Sequence, residues 1–141
     1  MRNNIIPKIL LIALAFSLVM CDKYDDGPAI SLISRTDRIT NNWEVYQAKS
    51  DEENVTDEFD QYELFIRSDG TCELHAEYTF LGVDFTTETE GFWYFRDSDQ
   101  NVEFDFDDDD FDDQYEILRL TSDELWLRDL DEALELKLNE I

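Results

Sequence analysis

The sequence predicts an all-β fold: eight short strands in an antiparallel up-and-down barrel, with a short N-terminal helix and a removable signal peptide in front. Three observations carry this reading. From Asn41 onward, apolar and polar residues alternate with a period of two, the mark of half-buried strands. Tight turn signals separate the runs, and short connections force neighbouring strands to be antiparallel. Eight such runs in succession can close on one another, which removes exposed sheet edges. A β-sandwich satisfies the same alternation, and pairing of the first strand with the last separates the two.

Residues 1–20 read as a lipoprotein signal peptide. Arg2 and Lys8 precede an uncharged run from Ile9 to Met20, and polarity returns abruptly after Cys21. That run is too short to span a bilayer as a helix, which needs about 20 apolar residues. Its ending, Leu18-Val19-Met20-Cys21, resembles a lipoprotein signal, with Cys21 as the lipid-attachment residue. Met20 departs from the small residue usual before that cysteine, and cleavage after Ala15 is the alternative. The expectation is an exported chain anchored through Cys21 to the outer membrane, on its periplasmic side or at the cell surface. Residues 21–34 form a polar tether, and the acids at Asp22, Asp25 and Asp26 resemble the surface-export signal of Bacteroidetes-type lipoproteins.

The barrel domain spans 35–141. A loosely helical stretch from Ala29 to Thr40 leads into it, with Ile30, Ile33 and Ile39 spaced for a turn or two at a barrel mouth. Trp43 and Val45 then alternate with Glu44 and Tyr46, and Tyr62, Leu64 and Ile66 with Glu63 and Arg67. Cys72, Leu74, Ala76, Tyr78 and Phe80 oppose Glu73, His75, Glu77 and Thr79. Phe85, Gly91, Trp93 and Phe95 share a parity that excludes Glu88 and Glu90. Val102, Phe104 and Phe106 oppose Glu103 and Asp105, and Leu134, Leu136 and Leu138 oppose Glu135 and Lys137. Tyr115 to Thr121 and Leu125 to Leu127 complete the set. In the former, Ile117, Leu118 and Leu120 fall on both faces and leave the inward side open. Turns are marked by Ser68-Asp69-Gly70, Leu81-Gly82, Asp97-Ser98-Asp99 and Asp131-Glu132. The longest connection, Lys49 to Asp60, reads as a lid or contact loop.

A hydrophobic fraction of 43% supplies a packed core, so the 33% of charged residues does not mean disorder. The formal net charge is −25, and all 36 acids follow the signal peptide, whose removal takes Arg2 and Lys8 with it. Such a surface repels phosphate backbones, which argues against nucleic acid as a partner, and self-repulsion favours a monomer. It attracts cations and basic protein surfaces instead. With Cys21 acylated, Cys72 has no disulfide partner and reads as a small buried hydrophobe.

Several motifs together resemble the bacterial lipocalin-like domain of small Bacteroidetes-type lipoproteins. They are Asn41-Asn42-Trp43 opening the first strand, Asn54-Val55-Thr56, Ser68-Asp69-Gly70-Thr71, Gly91-Phe92-Trp93, and Tyr115 to Thr121 followed by Leu125-Trp126-Leu127. The resemblance covers roughly residues 35–141 and implies a calycin-like barrel. It also implies an Arg packed on Trp43, with Arg119 and Arg128 as candidates. Asn41 stands where lipocalins proper carry Gly, and the chain ends without their C-terminal helix, so a deep ligand cavity is not implied.

No catalytic constellation emerges, and the sequence reads as a non-enzyme. The single histidine, His75, lies between Glu73 and Glu77 on the polar face, without a serine beside it. There is no His/Cys cluster for zinc and no glycine-rich phosphate loop, so no cofactor is implied. The run Asp105–Asp113 lacks the glycine and the downstream Glu spacing of an EF-hand. Loose cation association at Asp107, Asp108, Asp109 and Asp110, without a dedicated metal site, is the expectation. Candidate ligand-lining residues are Trp43, Tyr62, Tyr78, Phe85, Thr87, Thr89, Trp93 and Phe104, the two threonines supplying polar handles. Two roles follow. One is a display or interaction module meeting a basic partner through the acidic surface. The other is carriage of a small apolar or amphipathic ligand in the barrel.

Overall fold

The computed structural model describes residues 32–59 and 61–141, with backbone alone at 78–80. The signal peptide, Cys21 and the tether as far as residue 31 lie outside the described residues. A five-residue helix, α1 (Arg35–Ile39), leads into strands β1 (Asn42–Ser50), β2 (Glu53–Asn54), β3 (Gln61–Ile66), β4 (Thr71–Phe80) and β5 (Val83–Arg96). The chain continues through β6 (Asn101–Phe106), β7 (Asp113–Leu120), β8 (Glu124–Asp129) and β9 (Leu134–Glu140). Neighbours pair antiparallel in the order β1-β3-β4-β5-β6-β7-β8-β9, and β1 pairs with β9 from Trp43↔Glu140 to Ser50↔Leu134. That last pairing closes the barrel at eight strands and rules out the sandwich. The two-residue β2 is an appendage on the end of β1.

The two-residue period does what it predicts. Cys72, Leu74 and Ala76, Val102, Phe104 and Phe106, and Leu136 and Leu138 are all buried, and the residues between them are not. Each enclosed leucine or phenylalanine contributes about 1.5–3 kcal/mol through its removal from water. Two bulges break the beat. One lies between Val45 and Gln47, so that Trp43, Val45 and Ala48 all face inward while Tyr46 stands outside. The other lies between Ile117 and Arg119. It resolves the side that the sequence left open: Tyr115, Ile117 and Leu120 join the core cluster, whereas Leu118 is buried outside it.

One end of the barrel is plugged by α1. Ser34 caps the helix by accepting from Asp37 N at 3.0 Å, and Arg38 Nη1 donates to Leu120 O at 2.8 Å. Trp43, fully buried, donates its indole N–H to Ile39 O at 2.8 Å. The far end gathers the β4–β5 turn, the connections after β1, β6 and β8, and the starts of β3 and β7. The connection after β1 begins at Asp51, later than the sequence placed it, and it is no free lid. Val55 and Phe59 pack on the core, Val55 N donates to Ala48 O, and Thr56 Oγ1 accepts from Ala48 N, both at 3.0 Å. This segment fills the seam left because β1 pairs with β3 over only three residues, Asn42 to Glu44.

Gly91 sets the shape of the wall. A Cβ there would fall onto Asp105 O and lie 2.6 Å from Phe106 Cα, so β5 and β6 approach at a distance that only glycine permits. β6 ends opposite Gly91, while β5 runs on beside β4 as an arm to the Leu81-Gly82 turn; β3 flanks β4 as far as Glu77, so the arm is two-stranded only at its tip. Both turn residues have positive φ, 51° and 76°, as a two-residue hairpin requires.

Candidate functional site

The barrel interior, the far end and the acidic outer wall are the places where chemistry is concentrated. Inside, the space bounded by Tyr62, Phe104, Phe106, Tyr115, Leu136 and Leu138 retains a void of about 10 Å³. That is roughly what one water needs. Phe104 stacks with Phe106 at 5.9 Å between ring centroids and meets Tyr115 edge-on at 6.1 Å. This section of the barrel is filled by its own side chains.

The candidate lining residues divide along the barrel axis. Trp43 and Trp93 belong to the plugged end: both are buried, and each indole N–H is held by a main-chain carbonyl, that of Trp93 by Arg67 O at 2.8 Å. Phe104 lies opposite Trp93 in the ladder. Thr89 is buried, and its hydroxyl already accepts from Asp108 N at 3.2 Å. Thr87 and Tyr62 are half-buried toward the far end, and Phe85 stands on the arm, 42% exposed. The side chain of Tyr78 lies outside the described residues. The eight are therefore not one constellation.

A polar chain at the far end escaped the sequence reading. Asp113 starts β7 and Asp129 ends β8, each continuing an inward row, Asp113-Tyr115-Ile117 and Leu125-Leu127-Asp129. Asp129 is buried and accepts from Asp131 N at 2.7 Å and Glu132 N at 2.8 Å, which fixes the β8–β9 turn. Asp113 is hydrogen-bonded to Asp129, to Tyr115 and to Gln114 N. Burial, reinforced by the neighbouring Asp129 carboxyl, pushes Asp113 up to about 6. The Tyr115 hydroxyl meets Tyr62, whose phenol burial and the nearby Asp113 charge push up to about 12. A carboxyl at inward parity where a strand ends is the signal that marks such a pair.

On the outer face, His75 Nε2 and Glu73 Oε1 are 2.6 Å apart, and Arg67 joins Glu73 at 3.0 Å. These partners hold Glu73 below the usual carboxylate range, the His75 hydrogen bond contributing most. Arg119 lies over the Trp126 ring at 5.2 Å, with Lys137 at 4.3 Å, and Arg128 pairs with Glu116 and Glu135. The two arginines proposed for the Trp43 cap thus sit on the outer wall, away from that side chain. Asp107, Asp108, Asp109 and Asp110 are exposed; the Asp108 carboxylate accepts from Asp110 N, and Asp112 Oδ1 from Phe106 N. Among the described residues, no three His, Cys, Asp or Glu side chains are grouped so as to hold a metal ion.

No family model and no curated protein matches the chain. Among solved structures, a lipocalin-like protein from Bacteroides uniformis superposes with a TM-score of 0.52 at 11% identity. The match spans 74% of this chain and 99% of the other. Eight antiparallel strands closed by β1–β9, one short helix against the plugged end and this structural match together define the fold. The chain has the fold of a lipocalin-like β-barrel.

Proposed function

We propose that this protein is a non-catalytic interaction module of the cell envelope, exported, held to the outer membrane through Cys21, and meeting a basic partner with its acidic outer wall. The observation that supports this over carriage is the interior packed around Phe104 and Leu138, where about 10 Å³ remains. A drug-sized guest needs about 300 Å³ or more. Meanwhile a formal charge of −25 is carried on a scaffold whose inward rows are apolar, so most of that charge faces solvent. Oligolysine titrated into the full chain is expected to bind saturably at low ionic strength and to dissociate as salt is added. Failure to bind, together with one-to-one binding of a displaceable fluorescent fatty acid, would replace this reading with the carrier one.

The carrier reading keeps one specific support. Phe85 and Val83, on the inward side of the arm, are 42% and 55% exposed, which leaves apolar surface at the far end for an amphipathic molecule.

A further inference from the structure

The arm has an outer edge, and its chemistry is specific. The Leu81-Gly82 turn makes Phe80↔Val83 the hydrogen-bonded pair that closes the hairpin, so Val83, Phe85, Thr87 and Thr89 turn their main-chain groups toward β4. The alternate residues turn theirs the other way. Glu90 confirms the phase, since its carbonyl accepts from Asp107 N at 2.7 Å on the β6 side. Beyond that bond β6 has ended, and the connecting loop reaches only as far as Thr89, through Asp108 N. Among the described residues no strand lies beside Thr86 and Glu88 on this side. The seam between β1 and β3 is filled by the chain's own Val55–Thr56 segment, whereas among the described residues no strand fills this second seam.

We infer that the β5 edge at Thr86–Glu88 accepts an extended basic segment of another protein as an added strand, with apolar and Lys or Arg residues alternating along it. The inference rests on the proposed acidic-module reading and gives it a location. Main-chain groups of Thr86 and Glu88 supply the pairing, as edge strands do for peptide ligands. Charge selects the occupant. Side chains on the outer face of the arm are Asp84, Glu88 and Glu90, with Glu77 and Glu73 on β4 behind them, and the run Asp107–Asp110 borders the seam on its other side. An added strand with Lys or Arg on that face gains a favourable cross-strand pair at each acid. On the opposite face its apolar residues lie beside Phe85 and Val83. A second copy of this chain would bring acids against acids, so the same charges that attract a basic strand prevent self-pairing.

The test uses the full chain, isotope-labelled, and two acetylated heptapeptides of one composition, lysine and valine either alternating or in separate blocks. The alternating peptide is expected to bind saturably at low salt, to slow amide exchange at Thr86 and Glu88, and to bind at least tenfold more tightly than the blocked peptide. Glu88→Lys and Thr86→Pro should each weaken it at least tenfold. The proline removes only an outward N–H, and the exposed lysine variant carries the test should the proline variant melt early. Equal binding of both peptides, or wild-type affinity in Glu88→Lys, overturns the edge site and leaves the acidic-module reading standing. No binding of either peptide or of oligolysine overturns both.

Discussion

Replacing Asp113 by Asn should stabilise the protein at neutral pH, against the usual trend for substitutions inside a fold. Folded Asp113 titrates at about 6, against an ordinary value of 3.8. The folded state therefore keeps a proton that the unfolded chain releases from about pH 4 upward, and stability falls as pH rises from about 4 to about 6, then levels. That rise from 3.8 to about 6 corresponds to about 3 kcal/mol for a group shut off from water. Asp113 is only half-buried, and screening reduces this to about 1 kcal/mol. Asparagine keeps the acceptor for Gln114 N and offers its amide to Asp129, without the charge. Urea and thermal melts of wild type and Asp113→Asn at pH 4.5 and 7.5 check this. The variant should gain about 1 kcal/mol, or about 4 °C, at pH 7.5 and match wild type at pH 4.5. Because relief of surface repulsion acts on both chains, only their difference reports on the pair. An unchanged difference across the two pH values, or a variant weaker at pH 7.5, would refute the raised titration of Asp113.

Further outcomes follow from the packing. Gly91→Ala must push β5 off β6 at Asp105 and Phe106 and should cost about 3 kcal/mol in denaturant melts. Trp43→Phe leaves Ile39 O without its buried donor and opens space beneath α1, a loss of about 2–3 kcal/mol that chemical denaturation would measure. Cys72 is buried, and that burial, with the Asp105 charge, pushes its thiol up to about 12. In a Cys21→Ser chain it should ignore Ellman's reagent until the fold is unfolded in denaturant. Calcium added to the exposed Asp107–Asp110 run should give weak, salt-sensitive heats without saturation in calorimetry.

The barrel was legible because one wet face and one dry face impose a two-residue period, and rows such as Val102-Phe104-Phe106 obey it without interruption. The failures have local causes. β7 could not be oriented because the bulge at Ile117/Arg119 places Ile117 and Leu118 consecutively out of solvent, and the period carries no mark of an extra residue. Phe85 shares its parity with Trp93, yet one is 42% exposed and the other buried. Parity gives the side of a sheet, not whether an opposite wall exists, and past Gly91 the β6 wall is gone. Asp113 and Asp129 were lost among abundant acids, since only tertiary pairing distinguishes a buried carboxyl from a solvated one. The edge at Thr86–Glu88 depends on where β6 stops, and no local residue pattern encodes the end of a neighbouring strand.

The most direct test of the account is amide chemical-shift mapping of the full chain titrated with oligolysine at low salt. Shifts should concentrate on the outer wall, at Thr86, Glu88 and Glu90, while Leu64, Phe104 and Leu138 stay still. Movement of those core amides with the acidic wall silent would contradict it.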